Sequence, residues 1–182
     1  MIENFIPDRT TGAPVPGTGR GLARAAAGVA LWVALASHAT AEISAKVVAV
    51  ADGSNITIAT ERAQARLRLS AIDAPDFAQP HGKSSRQSLA GLCLGKTAAL
   101  GNYRRGAGGR INARVLCDGI DAGEEQVRRG LAWVDPKTVA KDSPLYALEA
   151  EAKAARRGLW ADPAPMPPWV WRRKHCCTVS VQ

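Results

Sequence analysis

The chain has 182 residues, 46% hydrophobic and 22% charged, with 24 Lys and Arg against 16 Asp and Glu. A net charge of +8 and a pI near 9.8 point to a polyanionic partner such as nucleic acid, an acidic polysaccharide or a membrane surface. Charge alone does not choose among these, and a basic surface kept for solubility also satisfies it.

In chain order the first feature is an export signal. Arg20 and Arg24 precede an uncharged apolar run over residues 25–36, and Ala39-Thr40-Ala41 follows. A positive segment, a short apolar segment and small residues at the −3 and −1 positions have the order of a signal peptide over residues 1–41, cleaved before Glu42. The run is 12 residues long, too short for a bilayer core that needs roughly 20; the competing reading is a buried core helix. The segment before it is long, which allows a start codon further downstream. No second apolar segment follows, so no transmembrane segment is expected after cleavage, and a periplasmic or secreted product is. Removing these residues leaves 141, enough for one core. The removed segment holds Arg9, Arg20 and Arg24 against Glu3 and Asp8, so the remainder keeps +7.

Residues 45–58 alternate apolar and polar around Asp52-Gly53, a two-residue turn signal, and predict a β-hairpin. Residues 64–72 predict a third strand, with Leu67, Leu69 and Ala71 on one face and Arg66, Arg68 and Ser70 on the other. Asp73-Ala74-Pro75 ends it. Residues 83–94 predict a helix with Leu89, Leu92 and Cys93 on one side and Gly95 as its stop. Two short strands follow at 97–103 and 111–117, joined by the glycine-rich loop 104–110. Residues 121–129 predict a short helix ended by Gly130. Residues 145–157 predict a longer one, with Glu149 and Lys153 one turn apart and Gly158 as its cap. From Ala161 the Pro-rich DPAPMPPW predicts an extended strap, with a C-terminal tail at 173–182. Five short strands and three helices imply an OB-type barrel (α+β) over residues 42–172, its core including Leu67, Leu69, Ile72 and Val115.

All four cysteines follow the leader. Their spacing has no Cys-x-x-Cys pair or nearby His set, which argues against zinc. In an oxidising compartment Cys93 and Cys117 are the plausible intradomain disulfide; a small buried hydrophobe is the alternative for Cys93. Vicinal Cys176-Cys177 reads as an interchain bridge or as free thiols.

RLRLSAIDAPD, QPHG, the GR-x-x-A-x-V-x-x-DG pattern, VRRGLAWV and EAKAARRGLW occur in that order, ending in Pro168-Trp169 and Trp171-Arg172. Across residues 45–172 the chain resembles the staphylococcal-nuclease-like (thermonuclease) family. The resemblance implies a five-stranded OB barrel with three helices, and calcium-assisted hydrolysis of phosphodiesters in DNA and RNA. Arg68 and Arg110 match the family's phosphate-clamping arginines. Asp73 matches a metal-binding carboxylate, and Ala74 would offer its backbone carbonyl to Ca²⁺. A dianionic transition state needs a cation and fixed donors, and the attacking water needs a base.

Three departures accompany the match. The family hairpin reads D-G-D-T, whereas here Asp52-Gly53-Ser54-Asn55 puts a neutral hydroxyl in the place of the second aspartate. Calcium affinity follows carboxylate count, so weaker binding is expected; Asp52 or Asn55 could replace the lost oxygen, and an ordinary turn residue is the other reading of Asp52. The family base is a Glu where this chain has Asp76. The family tyrosines are absent, residues 106–110 reading GAGGR and Asp135, Pro136 and Thr138 standing further on. An attenuated exported nuclease is therefore expected. The alternatives are a non-catalytic module binding nucleic acid or an acidic glycan, and an accessory protein of succinoglycan-type exopolysaccharide synthesis.

Overall fold

The computed structural model describes residues 43–61, 63–106 and 110–175. The expected leader, and Cys176 and Cys177 of the expected tail, lie outside them.

Strand β1 (Ile43–Val50) pairs antiparallel with β2 (Asn55–Ala59), and β2 with β3 (Gln64–Leu69). On its other edge β1 pairs with β5 (Thr97–Arg105), and β5 with β6 (Ile111–Cys117). A parallel contact between β3 and β6, with Leu67 opposite Ile111 and Leu69 opposite Ala113, closes these five strands into a barrel of the OB type. Period-two alternation is the cause: Val47, Ile56, Ile58, Leu67, Leu69 and Val115 point inward and are buried. Each such side chain contributes about 1.5–3 kcal/mol on leaving water. Ile72 is buried with them. It belongs to a second, two-stranded sheet in which β4 (Ile72–Asp73) pairs with β8 (Trp133–Val134). The remaining short strand, β7 (Ile120–Asp121), extends the sheet beyond β6.

Helix α1 (Gly82–Cys93) buries Leu89, Leu92 and Cys93 against the barrel, and Gly95, at φ 80°, ends the turn after it. Cys93 is bonded to Cys117 on β6, with Cα atoms 5.3 Å apart. Helix α2 (Ala122–Arg128) starts at Asp121, whose carboxylate accepts from the Gly123 and Glu124 amides. Helix α3 (Leu145–Ala154) carries the Glu149–Lys153 ion pair at 2.6 Å, and Glu149 also accepts from the Val134 amide at 3.1 Å. No helix of the described residues is long and apolar enough to cross a membrane.

Several expected boundaries move. The hairpin turn spans residues 51–54 rather than two residues, because Asp52 folds its carboxylate back onto the turn. The third strand stops at Leu69: Ala71 has φ 69°, which turns the chain and leaves Ile72, not Ala71, facing inward. Arg104 and Arg105 belong to β5 rather than to the loop. Helix α3 ends at Ala154, since Arg156 adopts φ 50° ahead of a 3₁₀ turn, Gly158–Ala161. The last difference is a fourth helix, α4 (Pro168–His175), where strap and tail were expected. Proline presets φ and lacks only an N–H that the first helical turn leaves unpaired, so Pro168 starts this helix rather than preventing it.

Candidate active site

The carboxylates of the site sit where two sheets and α1 meet. Pairing of Asp73 with Trp133 places Asp73 at the end of β4, where its side chain is 5% exposed. Asp76 lies three residues on, in a turn closed by the Gln79 amide donating to the Asp76 carbonyl at 2.8 Å. That turn explains the QPHG motif. A Cβ on Gly82 would lie 2.0 Å from the Asp76 carbonyl oxygen, so only glycine lets α1 begin so close to it. Ala74, between the two aspartates, is buried.

Arg68 is on the outer face of β3, opposite Asn55 of β2 and beside Asn112 of β6. Its Nη2 lies 2.9 Å from Asp73 Oδ1 and donates to the Ile72 carbonyl at 3.4 Å. Arg110 is exposed where the chain enters β6, and its carbonyl accepts from the Gly106 amide at 2.7 Å. Arg68, Arg110, Asp76 and Asp52 line one cleft of about 530 Å³, together with Arg66 and Arg172. Asp73 lines the adjoining cleft, with Arg68, Lys137, Trp169 and Arg172.

Sequence reasoning misses Arg172 as a site residue. It closes a family-like motif, but nothing in its sequence position ties it to residues almost a hundred positions earlier. In the fold α4 delivers its guanidinium between the two aspartates: Nη1 donates to Asp76 Oδ1 at 2.9 Å, and Nη2 pairs with Asp73 Oδ2. Burial alone would lower the Arg172 pKa, but the hydrogen bonds and charges of Asp73 and Asp76 outweigh it and raise it, so the group stays charged. Asp73 moves in the opposite sense. Burial pushes its carboxyl above the usual range, and the pull of Arg172 and Arg68 does not fully reverse this.

The hairpin turn contributes differently from an open ligand. Asp52 Oδ1 accepts from the Ser54 amide at 2.8 Å, the Ser54 hydroxyl at 3.1 Å and the Asn55 side-chain amide at 2.9 Å. Its Oδ2 also accepts from Asn55 at 2.8 Å. Both oxygens therefore hold the turn together, and the Asn55 amide turned toward Asp52 is the donor end. Ser54 is buried. The turn is fixed from below: the Gly53 carbonyl accepts from buried Gln126 at 3.0 Å, and a Cβ on Gly53 would lie 1.7 Å from Ser85 Oγ.

A calcium ion takes six to eight oxygen ligands, mostly carboxylate and carbonyl. Here both oxygens of Asp73 are held by guanidinium groups, Asp76 is held by Arg172, and Asp52 is occupied by its own turn. Among the described residues no group of three or more His, Cys, Asp or Glu side chains is placed to hold a metal ion. In this arrangement the carboxylate oxygens do not fit calcium, and the cationic groups that line the cleft are the guanidiniums of Arg66, Arg68, Arg110 and Arg172.

Comparison with known proteins agrees with the fold. A family model described as staphylococcal nuclease homologue matches residues 66–162, more than half of the chain. An uncharacterized endonuclease of Escherichia coli is 38% identical over 135 residues, covering 74% of this chain and 88% of that protein. Protein ParB of Escherichia coli is 34% identical over 161 residues, covering 83% and 90%. A probable staphylococcal-like nuclease, CAN1 of Oryza sativa, is 37% identical over 109 residues, 59% of this chain and 32% of the rice protein. The closed five-stranded barrel and these matches together establish that the chain belongs to the staphylococcal-nuclease-like family.

Proposed function

We propose that the protein is an exported phosphodiesterase acting on DNA or RNA, slower than relatives that keep the full carboxylate set. The observation that carries this reading is the convergence of Arg66, Arg68, Arg110 and Arg172 with Asp76 on one cleft. A phosphodiester there meets guanidinium donors at its non-bridging oxygens. Charge grows on those oxygens as phosphorus becomes five-coordinate, so donors fixed in place gain most at that stage. Asp76 is the carboxylate beside the cleft able to take the proton of an attacking water. It is one methylene shorter than glutamate, about 1.5 Å, and misplacement of about 1 Å can cost on the order of a hundredfold in rate. Calcium assistance of the family's kind would require opening the pairs that Arg172 makes. Export is supported by the Cys93–Cys117 bond, since disulfides persist in oxidising compartments.

The second reading is a barrel that binds a polyanion without cutting it; the neutralisation of both Asp73 and Asp76 by arginine favours it. One experiment separates the two. The secreted protein, with its N-terminus fixed by mass spectrometry, is incubated with single- and double-stranded DNA and RNA, alongside Arg68→Ala and Arg110→Ala. Slow cleavage that falls at least tenfold in each variant is expected. Binding without cleavage by the unaltered protein would sink the hydrolase reading and leave the binding module, and an intact residue 1–41 segment would sink export.

A further inference from the structure

We propose that Arg172 is the resident cation of this site: it holds Asp73 and Asp76 in place of a divalent metal ion and offers its remaining N–H groups to a phosphodiester. The inference rests on the nucleic-acid reading for the identity of the ligand, but not for the exclusion of the metal.

The geometry supports it in three steps. First, Arg172 is delivered, not merely tethered. Pro168 is fully buried at the start of α4, and the Met166 carbonyl just before it accepts from buried Gln79. A surface arginine at the end of a loose tail would lose its pairs to water; this one is carried on an anchored helix. Second, the pairs use two of five guanidinium N–H groups, one from each Nη. Three remain, and the side chain lines the cleft beside Arg66, Arg68 and Arg110. Third, the charge balance favours an anion. Four arginines against Asp52 and Asp76 leave the cleft lining at +2. A divalent cation would enter against that charge and would also have to displace Arg68 or Arg172 from Asp73. A phosphodiester, carrying one negative charge, displaces nothing.

The guanidinium and a metal ion therefore exclude each other, and by linkage whatever weakens one strengthens the other. Removing the Arg172 guanidinium frees Asp73 Oδ2 and Asp76 Oδ1 for a metal ion, while Asp73 Oδ1 stays paired with Arg68. The loss of the family's second hairpin aspartate at Ser54 then has a reason, because a site with its own cation does not need that ligand.

The test uses the full-length protein, Arg172→Gln and Arg172→Lys, all checked for folding by circular dichroism. Calcium chloride alone is titrated by calorimetry, with no nucleic acid present. The unaltered protein should bind calcium weakly, and Arg172→Gln at least tenfold more tightly; equal affinity in the two overturns the proposal. A fluorescent phosphorothioate oligothymidylate is then titrated in excess EDTA. The unaltered protein should bind it, Arg172→Gln at least tenfold more weakly, and Arg172→Lys in between; in a separate titration with calcium chloride and no EDTA, calcium should rescue Arg172→Gln alone. Oligonucleotide binding by the unaltered protein that requires calcium overturns the proposal and needs no variant to fold. If no form binds the oligonucleotide, the nucleic-acid reading falls, and the calcium titration still decides whether Arg172 excludes the metal.

Discussion

Ser54 and Asn55 donate three hydrogen bonds to Asp52 Oδ1, and Asn55 donates a fourth to Oδ2, so one carboxylate gathers much of the turn. Replacing Ser54 by aspartate puts a second carboxylate about 3 Å from the first, in a buried place. Ser54→Asp is expected to lower unfolding stability in urea by about 1–3 kcal/mol. Calcium should restore that loss fully only when Arg172→Gln is combined with it, a non-additive pair measurable as a double-mutant cycle. At Asp73 the expectation concerns pH. Burial raises its folded-state pKa above the ordinary 3.8, so the folded state holds this proton more tightly than the unfolded chain does. The contribution is fully present below the ordinary carboxylate range and is lost as pH rises through the raised value. Unfolding free energy of the native protein relative to Asp73→Asn should therefore fall as pH climbs from about 4; a flat difference would contradict it. Arg68, Arg110, Asp73 and Asp76 were all legible as candidates because each sits in a local motif. Arg172 was not, because its meaning depends on two partners brought to it from β4 and the turn before α1.

Elements are held together by backbone contacts that leave no room for a side chain. Gly130, just past α2, has φ 66°, and a Cβ there would lie 2.2 Å from the Arg157 carbonyl oxygen; one on Gly158 would lie 2.3 Å from the Gly130 carbonyl oxygen. Between them the Leu159 amide donates to the Gly130 carbonyl at 2.8 Å. These are the glycines of VRRGLAWV and EAKAARRGLW, so two motifs far apart in sequence form one clasp. Gly130→Ala is expected to lower stability by at least about 2 kcal/mol, from the left-handed backbone together with the overlap; urea unfolding measures it. The disulfide works through the unfolded state instead. It closes a segment of 24 residues, and its removal by Cys93→Ala with Cys117→Ala should cost about 3 kcal/mol. Helix α4 escaped the sequence reading because prolines dominate DPAPMPPW, and a proline marks a helix start as readily as a strap. What decides between them is the buried seat of Pro168.

At the scale of the whole molecule, charge sets how a polyanion is held. Four arginines line the cleft, so single-strand binding should weaken with salt at a log–log slope of up to roughly −3, and Arg66→Ala should reduce the slope by about 0.7. Affinity that does not respond to salt would remove the phosphate backbone as the contact. By itself the sequence determined the basic charge, the period-two strands with their inward Leu67, Leu69 and Val115, the helix faces, and the glycines that allow close turns. These depend on local spacing and side-chain chemistry, which a chain carries whether folded or not. The tertiary structure decided which carboxylate oxygens are free. Asp52 was consumed by its own turn, and Asp73 and Asp76 were joined by an arginine from the far end of the domain. A residue's type says that it can bind a cation; only the placement of Arg172 on α4 beside Asp73 and Asp76 says which cation reaches it first.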